Sequence, residues 1–306
     1  MSIALLGVAD DPEIEALAGR LRERVDVRVW DVEGWPGETP LSIRQRRDGT
    51  DLTVGDGVDV DDLDAVFVDR LGAEVRDGRF AEPLAERPYS LLNQLREYRG
   101  VLLSTLQVLE ERGVRVVNPT ATRELHLRKP WQLATLADAG LPVPETLTTN
   151  DPDAVRTFVD EVDDVIYKPV TGGGYARPLD EQALDDRLDR LANAPVQFQE
   201  RLSGDSFRLY VVDGELVAAG RLVTDGDVLD YRSESHDVEQ ETVRPEIERA
   251  TVEAAEALDL TFAGIDVVAD DDEFAFLEAN PAPMFVTFDD EAGTDVAGAL
   301  ADSLSS

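Results

Sequence analysis

The sequence predicts an α/β protein with three lobes, and three observations carry that prediction. Strand-like apolar runs alternate with helical periodicity through residues 1–120, which indicates an open α/β domain. Strand patterns dominate the chain from Val196 onward. The length of 306 residues exceeds what one small core needs. We therefore divide the chain into an N-terminal domain (1–120), a central lobe (121–195) and a C-terminal lobe (196–306).

The N-terminal domain begins with a buried strand at residues 2–8, and Asp11-Pro12 then opens a helix that runs to about Arg24. Leu17 and Leu21, at i, i+4 spacing, mark the buried face of that helix. The other elements predicted here are strands at 25–32, 64–72 and 113–119, a hairpin that turns at Asp48-Gly49, and a helix at 88–112.

The central lobe is predicted to combine helices with short extended segments. A helix near 124–139 ends at Gly140, and Asn150-Asp151-Pro152 caps the next helix. The remaining elements are an extended stretch at 141–149, a strand at 164–170 that leads into Gly172, Gly173 and Gly174, and a helix near 180–192.

The C-terminal lobe is predicted to contain mainly antiparallel strands, with a hairpin turn at Asp213-Gly214. Its predicted strands are VQFQERL, FRLYVVDGELVAAGRLV, FAGIDVVA and EFAFLEAN, and its predicted helices are 245–258 and 292–304.

The chain is strongly acidic: 65 acids against 29 bases give a formal net charge of −36. Nucleic acid and anionic membrane surfaces are recognised by basic footprints, so both are excluded as partners. The acids are spread along the chain, and all but two of the bases are arginine. This pattern predicts adaptation to high salt, which screens the self-repulsion of such a surface.

The absence of cysteine excludes disulfides, thiol nucleophiles and cysteine-bound metals. The N-terminal apolar run is too short for a signal peptide. No segment approaches the roughly 20 apolar residues of a membrane helix. We therefore expect a cytoplasmic protein, and the sequence leaves open whether it forms a homo-oligomer.

Two strands near the C-terminus predict an oxygen site for a divalent cation. Glu278 and Asn280 are two residues apart in FLEAN and face the same side of a strand, and Asp266 in GIDVV reaches the same point if the strands form a hairpin. Two carboxylates and an amide oxygen suit Mg²⁺ held against phosphates. The alternative is surface acids, but unpaired acids in otherwise apolar strands would be costly.

A strand followed by a glycine run predicts a phosphate site. Lys168 lies in VIYKPV, directly before the glycines, whose backbone N–H groups can cradle phosphate oxygens beside the lysine charge. In a chain that prefers arginine, a retained lysine indicates a site that a guanidinium does not fit. The alternative is chance survival of Lys168 and Lys129, the chain's two lysines, and it predicts exposed positions.

Three spaced arginines, Arg208, Arg221 and Arg232, are candidates to recognise carboxylate or phosphate through paired hydrogen bonds. In so acidic a chain each can equally pair with a surface carboxylate. The chain contains neither GxxxxGK[ST] nor GxGxxG after the first strand, so P-loop and dinucleotide-binding classes have no support.

The order of these motifs resembles the ATP-grasp superfamily, in particular its RimK-like branch. The motifs span roughly residues 115–290 and are HLRKPWQLATLADAGLPVPET, VIYKPVTGGGY, VQFQERLSGDSFRLYVVDGELVAAGRL, DYRS, GIDVV and FLEANP. Within that branch, VPETLTTNDPDAVRTF and the stretch that begins at FLEANP are most similar to graspetide (microviridin-type) ligases, which macrocyclise ribosomal peptides. The resemblance implies an ATP-grasp fold preceded by an N-terminal pre-ATP-grasp domain.

The resemblance also implies a role for each residue that matches its motifs. Lys129 would contact the α-phosphate side of ATP, and Lys168 would lie nearer the adenine and phosphates. Gly172, Gly173 and Gly174 would form a mobile lid, and Gln199, Glu200, Arg201 and Leu202 a hinge that holds adenine. Asp205 would bind the ribose or the motif's arginine. Asp266, Glu278 and Asn280 would hold two Mg²⁺ ions, with Mn²⁺ as a substitute, and Arg208, Arg221 and Arg232 would stabilise the transferred phosphate.

The implied reaction joins a carboxylate to an amine or hydroxyl, with an acyl phosphate as the intermediate. We expect a peptide or a small-molecule carboxylate and amine as substrates. An ATP-binding regulatory protein without turnover and a ligase of a small metabolite stay open as alternatives. The acidic stretch DYRSESHDVEQE stands where related amide-forming enzymes carry a basic one, which leaves the substrate open.

Overall fold

The computed structural model describes residues 1–32, 40–55, 58, 60–72, 78–171, 174–180, 184, 188–224, 229 and 236–306. These residues form two compact units. Unit 1 contains Met1–Ala121, Met284–Val286 and Val296–Ser306, and unit 2 contains Thr122–Pro283 and Thr287–Asp295. In the described part of the chain, no helix is long and apolar enough to cross a membrane.

The elements of both units follow the chain in this order. The helices are α1 (Pro12–Leu21), α2 (Ala81–Glu86), α3 (Pro88–Glu111), α4 (Lys129–Asp138), α5 (Pro152–Glu161), α6 (Pro245–Ala257), α7 (Val286–Ala292) and α8 (Val296–Leu304). The strands are β1 (Ser2–Gly7), β2 (Asp26–Asp31), β3 (Leu41–Gln45), β4 (Thr50–Val54), β5 (Ala65–Val68), β6 (Arg115–Val117), β7 (Thr146–Thr149), β8 (Val165–Pro169), β9 (Arg177–Pro178), β10 (Val196–Glu200), β11 (Asp205–Val212), β12 (Glu215–Thr224), β13 (His236–Gln240), β14 (Phe262–Ala269) and β15 (Phe274–Asn280).

Unit 1 is built on a parallel sheet with the strand order β2-β1-β5-β6. All four residues of β5 are buried, as expected for a parallel strand that is covered on both faces. Leu102, Leu106 and Leu109 of α3 pack into the core of this unit. The predicted open α/β domain is confirmed in its fold class, and β3 and β4 form the predicted hairpin.

The last helix of the chain belongs to unit 1 and not to the predicted C-terminal lobe. Helix α8 packs on α1, where Arg24 pairs with Asp302. The Arg115 guanidinium of β6 donates to the hydroxyl of Ser303 at 2.9 Å. This helix is grouped with unit 1 because apolar faces of α1 and α8 pair across a long sequence separation that periodicity does not show.

Unit 2 contains two antiparallel sheets. The smaller has the order β7-β10-β8-β9, and the larger has the order β13-β12-β11-β14-β15. The turn between β11 and β12 has positive φ at Asp213 (48°) and Gly214 (75°), the geometry of a tight hairpin turn. Helix α6 packs against one face of the larger sheet, with Ile247 and Ala254 in the same core as Ile265.

Three helix boundaries differ from the prediction. The helix expected near 124–139 begins only at Lys129, because residues 125–127 form a 3-10 turn before it. The helix expected at 292–304 is two helices, α7 and α8, and Gly293 (φ 69°) follows the first. Of the helix expected near 180–192, the structure shows a 3-10 turn at Leu188–Asn193, whereas 181–183 and 185–187 lie outside the described residues.

Glu13 is a buried acid in the first turn of α1. Burial is the main reason why its pKa is raised from 4.5 to about 7, and a hydrogen bond with the Asp11 side chain adds to the effect. The folded state therefore binds more protons than the unfolded state between these pH values. Stability consequently falls as the pH rises through that window.

We predict that Glu13→Gln flattens this pH dependence, because the amide cannot ionise. At about pH 8 the variant should gain about 1–3 kcal/mol in free energy of unfolding relative to the parent chain. Urea unfolding at a series of pH values across the window measures the effect. Glu15→Gln, an exposed change on the same helix, serves as control, and an unaltered pH slope in Glu13→Gln would contradict the assignment.

Candidate active site

The larger sheet of unit 2 places a row of charged side chains on one face. Arg208 of β11 is directly opposite Asp266 of β14, and Asp266 is directly opposite Glu278 of β15. Directly opposed residues of antiparallel strands project to the same face. The hairpin on which the predicted cation site depends is therefore present, and Asn280 follows opposite Gly264.

Each carboxylate of this row has a cationic partner. Arg208 Nε lies 2.6 Å from Asp266 Oδ1, and Arg208 Nη2 donates to Asp266 Oδ2 at 3.1 Å. Lys129, at the start of α4, donates from Nζ to a carboxylate oxygen of Glu278. Asp266 and Lys129 are buried, and buried charges are tolerated when they are paired in this way.

Helix α4 is attached to β15 by a second side chain. Gln132 Oε1 accepts a hydrogen bond from the Ala279 backbone N–H at 2.9 Å, and Gln132 Nε2 donates to the Leu125 carbonyl at 2.9 Å. Gln132 is three residues after Lys129, so both side chains leave the same face of the helix. The sequence analysis did not predict a role for Gln132. Its spacing of three residues from Lys129, which places both on one helix face, was the signal that could have identified it.

Gly264 makes room for the charged row. A Cβ atom at this position would lie 2.5 Å from Cβ of Pro283 and 3.2 Å from Nη1 of Arg208. The glycine therefore lets Pro283, from the EANPAP segment, and the guanidinium approach the strand closely. Sequence reasoning did not single out Gly264, since this contact joins residues far apart in the chain.

The smaller sheet presents a buried polar face. Lys168 is 8% exposed, and its Nζ donates to Gln199 Oε1 at 3.0 Å. Gln199 Nε2 in turn donates to Thr146 Oγ1 at 2.9 Å. Because Lys129 is also only 7% exposed, both lysines of the chain are buried. Chance survival of surface lysines does not account for these positions.

An open cleft joins the two groups of residues. Its polar lining includes Lys168, Gln199, Glu200, Arg201, Asp266 and Glu278, and its apolar lining includes Ile166, Leu202, Phe207, Leu222 and Val267. The predicted hinge residues and two predicted metal ligands therefore share one cleft.

Arg221, a predicted site residue, does not join the charged row. Arg221 is opposite Phe207 and Glu239, one position away from Arg208, and so it projects from the other face of the sheet. Its Nη2 donates to Glu239 Oε2 at 2.5 Å, and its Nη1 lies 3.8 Å from Asp205 Oδ2. Arg221 and Arg208 therefore project to opposite faces of the sheet, because strand parity separates them, and the phosphate role of Arg221 stays a prediction.

Of the other predicted site residues, the structure describes some and leaves others outside the described ranges. Gly172, Gly173 and Arg232 lie outside the described residues. Gly174 is described, and a Cβ there would lie 3.1 Å from Cγ of Pro169. Asn280 Oδ1 accepts a hydrogen bond from the Ala282 N–H at 3.0 Å, which orients its amide.

The donor set suits a magnesium nucleotide. Asp266, Glu278 and Asn280 supply hard oxygen atoms, and the buried ammonium groups of Lys129 and Lys168 supply positive charge for phosphates. Among the described residues, no group of three or more acidic, histidine or cysteine side chains is arranged to hold a metal ion. The protein would therefore provide part of a coordination sphere, as is usual for Mg²⁺ that phosphates also bind.

The fold and this site define an ATP-grasp protein. Residues 128–304, more than half of the chain, match the RimK-like ATP-grasp domain family. The chain belongs to this family, as the motif order predicted.

Particular relatives refine this assignment. One similar solved structure is that of the ATP-grasp ligase PsnB, complexed with a phosphomimetic variant of a minimal precursor, Mg and ADP. The sequences are 35% identical, the match covers 99% of this chain and 97% of the PsnB chain, and the TM-score is 0.85. A second similar structure is the macrocyclase MdnC from Microcystis aeruginosa MRC, bound with precursor peptide MdnA. The sequences are 22% identical, the match covers 99% of both chains, and the TM-score of 0.81 shows that the two proteins share a fold.

A curated relative is more distant. Beta-citrylglutamate synthase B from Danio rerio is 28% identical over 213 residues, which is 65% of this chain and 53% of that protein. The chain thus spans about half the length of this relative.

We predict that Gln132→Met destabilises unit 2, because the Ala279 N–H and the Leu125 carbonyl lose their partner. The expected loss in free energy of unfolding is about 1–3 kcal/mol. Denaturant unfolding measures it, with the exposed Gln94→Met as matched control. Equal stability of the two variants would show that the bridge between α4 and β15 contributes nothing.

Proposed function

We propose that this protein is an ATP-dependent ligase that activates a peptide carboxylate as an acyl phosphate and joins it to an amine, or to a hydroxyl. One observation carries the proposal: a cleft that contains Lys168 also contains Asp266 and Glu278. Phosphate-binding and cation-binding groups are thus within reach of one bound nucleotide. Membership of the RimK-like ATP-grasp family supports the same activity.

The residues that line the cleft, together with Lys129, Asn280 and Arg208 beside them in the charged row, have separate roles. Lys168 and Lys129 bind phosphate oxygens of ATP, and Gln199, Glu200, Arg201 and Leu202 hold the adenine. Asp266, Glu278 and Asn280 would hold two Mg²⁺ ions, for which Mn²⁺ can substitute. When bound, these ions neutralise phosphate charge and orient the γ-phosphate. Arg208, beside Asp266, stabilises the charge on the transferred phosphate.

The chemistry has two steps. A carboxylate oxygen of the substrate attacks the γ-phosphorus, and the bond to the β-phosphate oxygen breaks to release ADP. The amine nitrogen then attacks the acyl carbon, loses a proton, and inorganic phosphate leaves with the electrons of the C–O bond. Positioning and electrostatics account for catalysis, because neither step requires a covalent enzyme intermediate.

A peptide is the favoured substrate. The likeness to PsnB extends over 99% of the chain at 35% identity, and that ligase was solved with a precursor. The likeness to beta-citrylglutamate synthase B is lower and covers 65% of the chain. We accordingly propose a peptide macrocyclase, with side-chain carboxylates as donors.

An ADP-release assay with Mg²⁺ tests this proposal. Peptides that carry Asp or Glu together with Lys, Ser or Thr are compared with free amino acids, and mass spectrometry detects the loss of one water per bond formed. Peptide-stimulated release with dehydrated product is expected. Stimulation by free amino acids alone would indicate a small-metabolite ligase, and the absence of any stimulation would refute the ligase.

We further propose that the protein works in the cytoplasm at high salt. Among the described acids, Glu13 and Asp266 are buried, so most of the negative charge lies at the surface. Screening of that charge by salt supports stability. Unfolding midpoints measured from low to molar salt should rise steadily, and salt-independent midpoints would contradict the proposal.

We predict that Glu278→Gln abolishes turnover while the protein stays folded. A neutral amide binds a divalent cation poorly, yet it still accepts a hydrogen bond from Lys129. We expect ADP release to fall by at least about 100-fold, on the scale of a lost electrostatic contact in a catalytic site. Glu253→Gln, an exposed change on α6, is the control, and near-parental turnover of Glu278→Gln would remove the metal assignment.

We predict that Lys168→Arg weakens nucleotide binding although the charge is kept. The buried ammonium lies against Gln199, and a guanidinium at this buried position would be larger and planar. Calorimetry should show a loss of affinity for Mg·ADP of about tenfold or more. Arg156→Lys, an exposed exchange on α5, is the reciprocal control, and parental affinity in Lys168→Arg would argue against a lysine-specific pocket.

A further inference from the structure

Gln197 of β10 is a buried amide that makes no hydrogen bond. Its side chain is 0% exposed, and neither Oε1 nor Nε2 has a partner in the described structure. A buried polar group that is left unpaired in this way lowers stability. Buried polar groups are paired in the great majority of cases, so this exception requires a reason.

The other buried glutamines described in the chain are fully paired. Gln132 uses both ends of its amide, between Leu125 and Ala279. Gln199 also uses both ends, between Lys168 and Thr146. Among these three buried glutamines of unit 2, only Gln197 lacks side-chain hydrogen bonds, and burial alone does not explain why its amide is unpaired.

The position of Gln197 links it to the proposed nucleotide site. It is directly opposite Lys168 on β8. It is also two residues before Gln199 on β10, so the two glutamines project from the same face of the smaller sheet. Directly opposed side chains have Cβ atoms roughly 4.5–5.5 Å apart. The Lys168 ammonium reaches past this position to Gln199, at 3.0 Å. The Gln199 amide thus pairs with the ammonium group, whereas the Gln197 amide, at the position directly opposite Lys168, is unused.

We propose that Gln197 is a positioning residue for Lys168 in the nucleotide-bound state. When phosphate oxygens draw the ammonium group away from Gln199, the Gln197 amide oxygen accepts a hydrogen bond from it and fixes its new direction. A contact that forms only in the bound state adds to affinity for the phosphates and relieves the unpaired amide. The inference rests on the proposed function, since it requires that Lys168 binds phosphate.

The test compares Gln197→Met with the parent chain. Because methionine has no amide to leave unpaired, the unfolding temperature of the ligand-free protein should rise by about 2–4 °C. Calorimetry should show that affinity for Mg·ADP falls by about tenfold, the scale of a hydrogen bond to a charged group. Affinity for adenosine, which carries no phosphate, should stay within about twofold.

Gln132→Met is the matched control for stability, because its amide is fully paired and its unfolding temperature should fall. A fall of similar size in Gln197→Met would overturn the proposal, since it would reveal a partner in the ligand-free state. Unchanged affinity for Mg·ADP would overturn it as well. Equal losses for Mg·ADP and adenosine would do the same, because they would indicate a role at the base or in the fold.

A second measurement keeps the proposal testable if Gln197→Met does not fold. In the parent chain, the side-chain amide signal of ¹⁵N-labelled Gln197 should shift when Mg·ADP is added and stay in place when adenosine is added. An unmoved signal with Mg·ADP would overturn the inference. Failure of the parent chain to bind Mg·ADP at all would instead overturn the proposed function, so the two failures are distinguishable.

Discussion

The pairing of buried charges at the β14–β15 hairpin is the constraint on which the rest of unit 2 depends. Asp266 is buried against Arg208, and Glu278 meets the buried ammonium of Lys129. A buried charge without a partner would cost several kcal/mol, on the order of 3–5 kcal/mol when one member of such a pair is removed. These pairs therefore hold α4 on β15 and β11 beside β14.

The same pairs prepare the site for its ligands. Without a cation, Arg208 and Lys129 balance the carboxylates that would bind one. In the proposed function, a magnesium nucleotide brings both positive ions and negative phosphates, so the carboxylates and the cationic side chains would exchange partners. The Gln132 bridge would keep the strand in place during this exchange, because it depends on the backbone of Ala279 and not on charge.

Much of the fold could be read from local sequence. The hairpin turn at Asp213-Gly214 and the two strands that carry Asp266 and Glu278 were predicted from turn chemistry and apolar runs, and the structure contains them. The position of α8 in unit 1 could not be read in this way, because its partner α1 lies at the other end of the chain. The face of Arg221 was equally hidden, since a one-residue difference in register reverses the direction of a side chain.

By itself the sequence determined the chemistry available: an acidic chain with two retained lysines, two acids in apolar strands, and an ordered set of motifs that identified the family. The tertiary structure decided which of these groups meet. It buried Lys129 and Lys168, paired Glu278 and Asp266 with cations, and separated Arg221 from Arg208. The physical reason is that residue type follows from local pattern, whereas proximity follows from strand register and from the need of every buried charge for a partner.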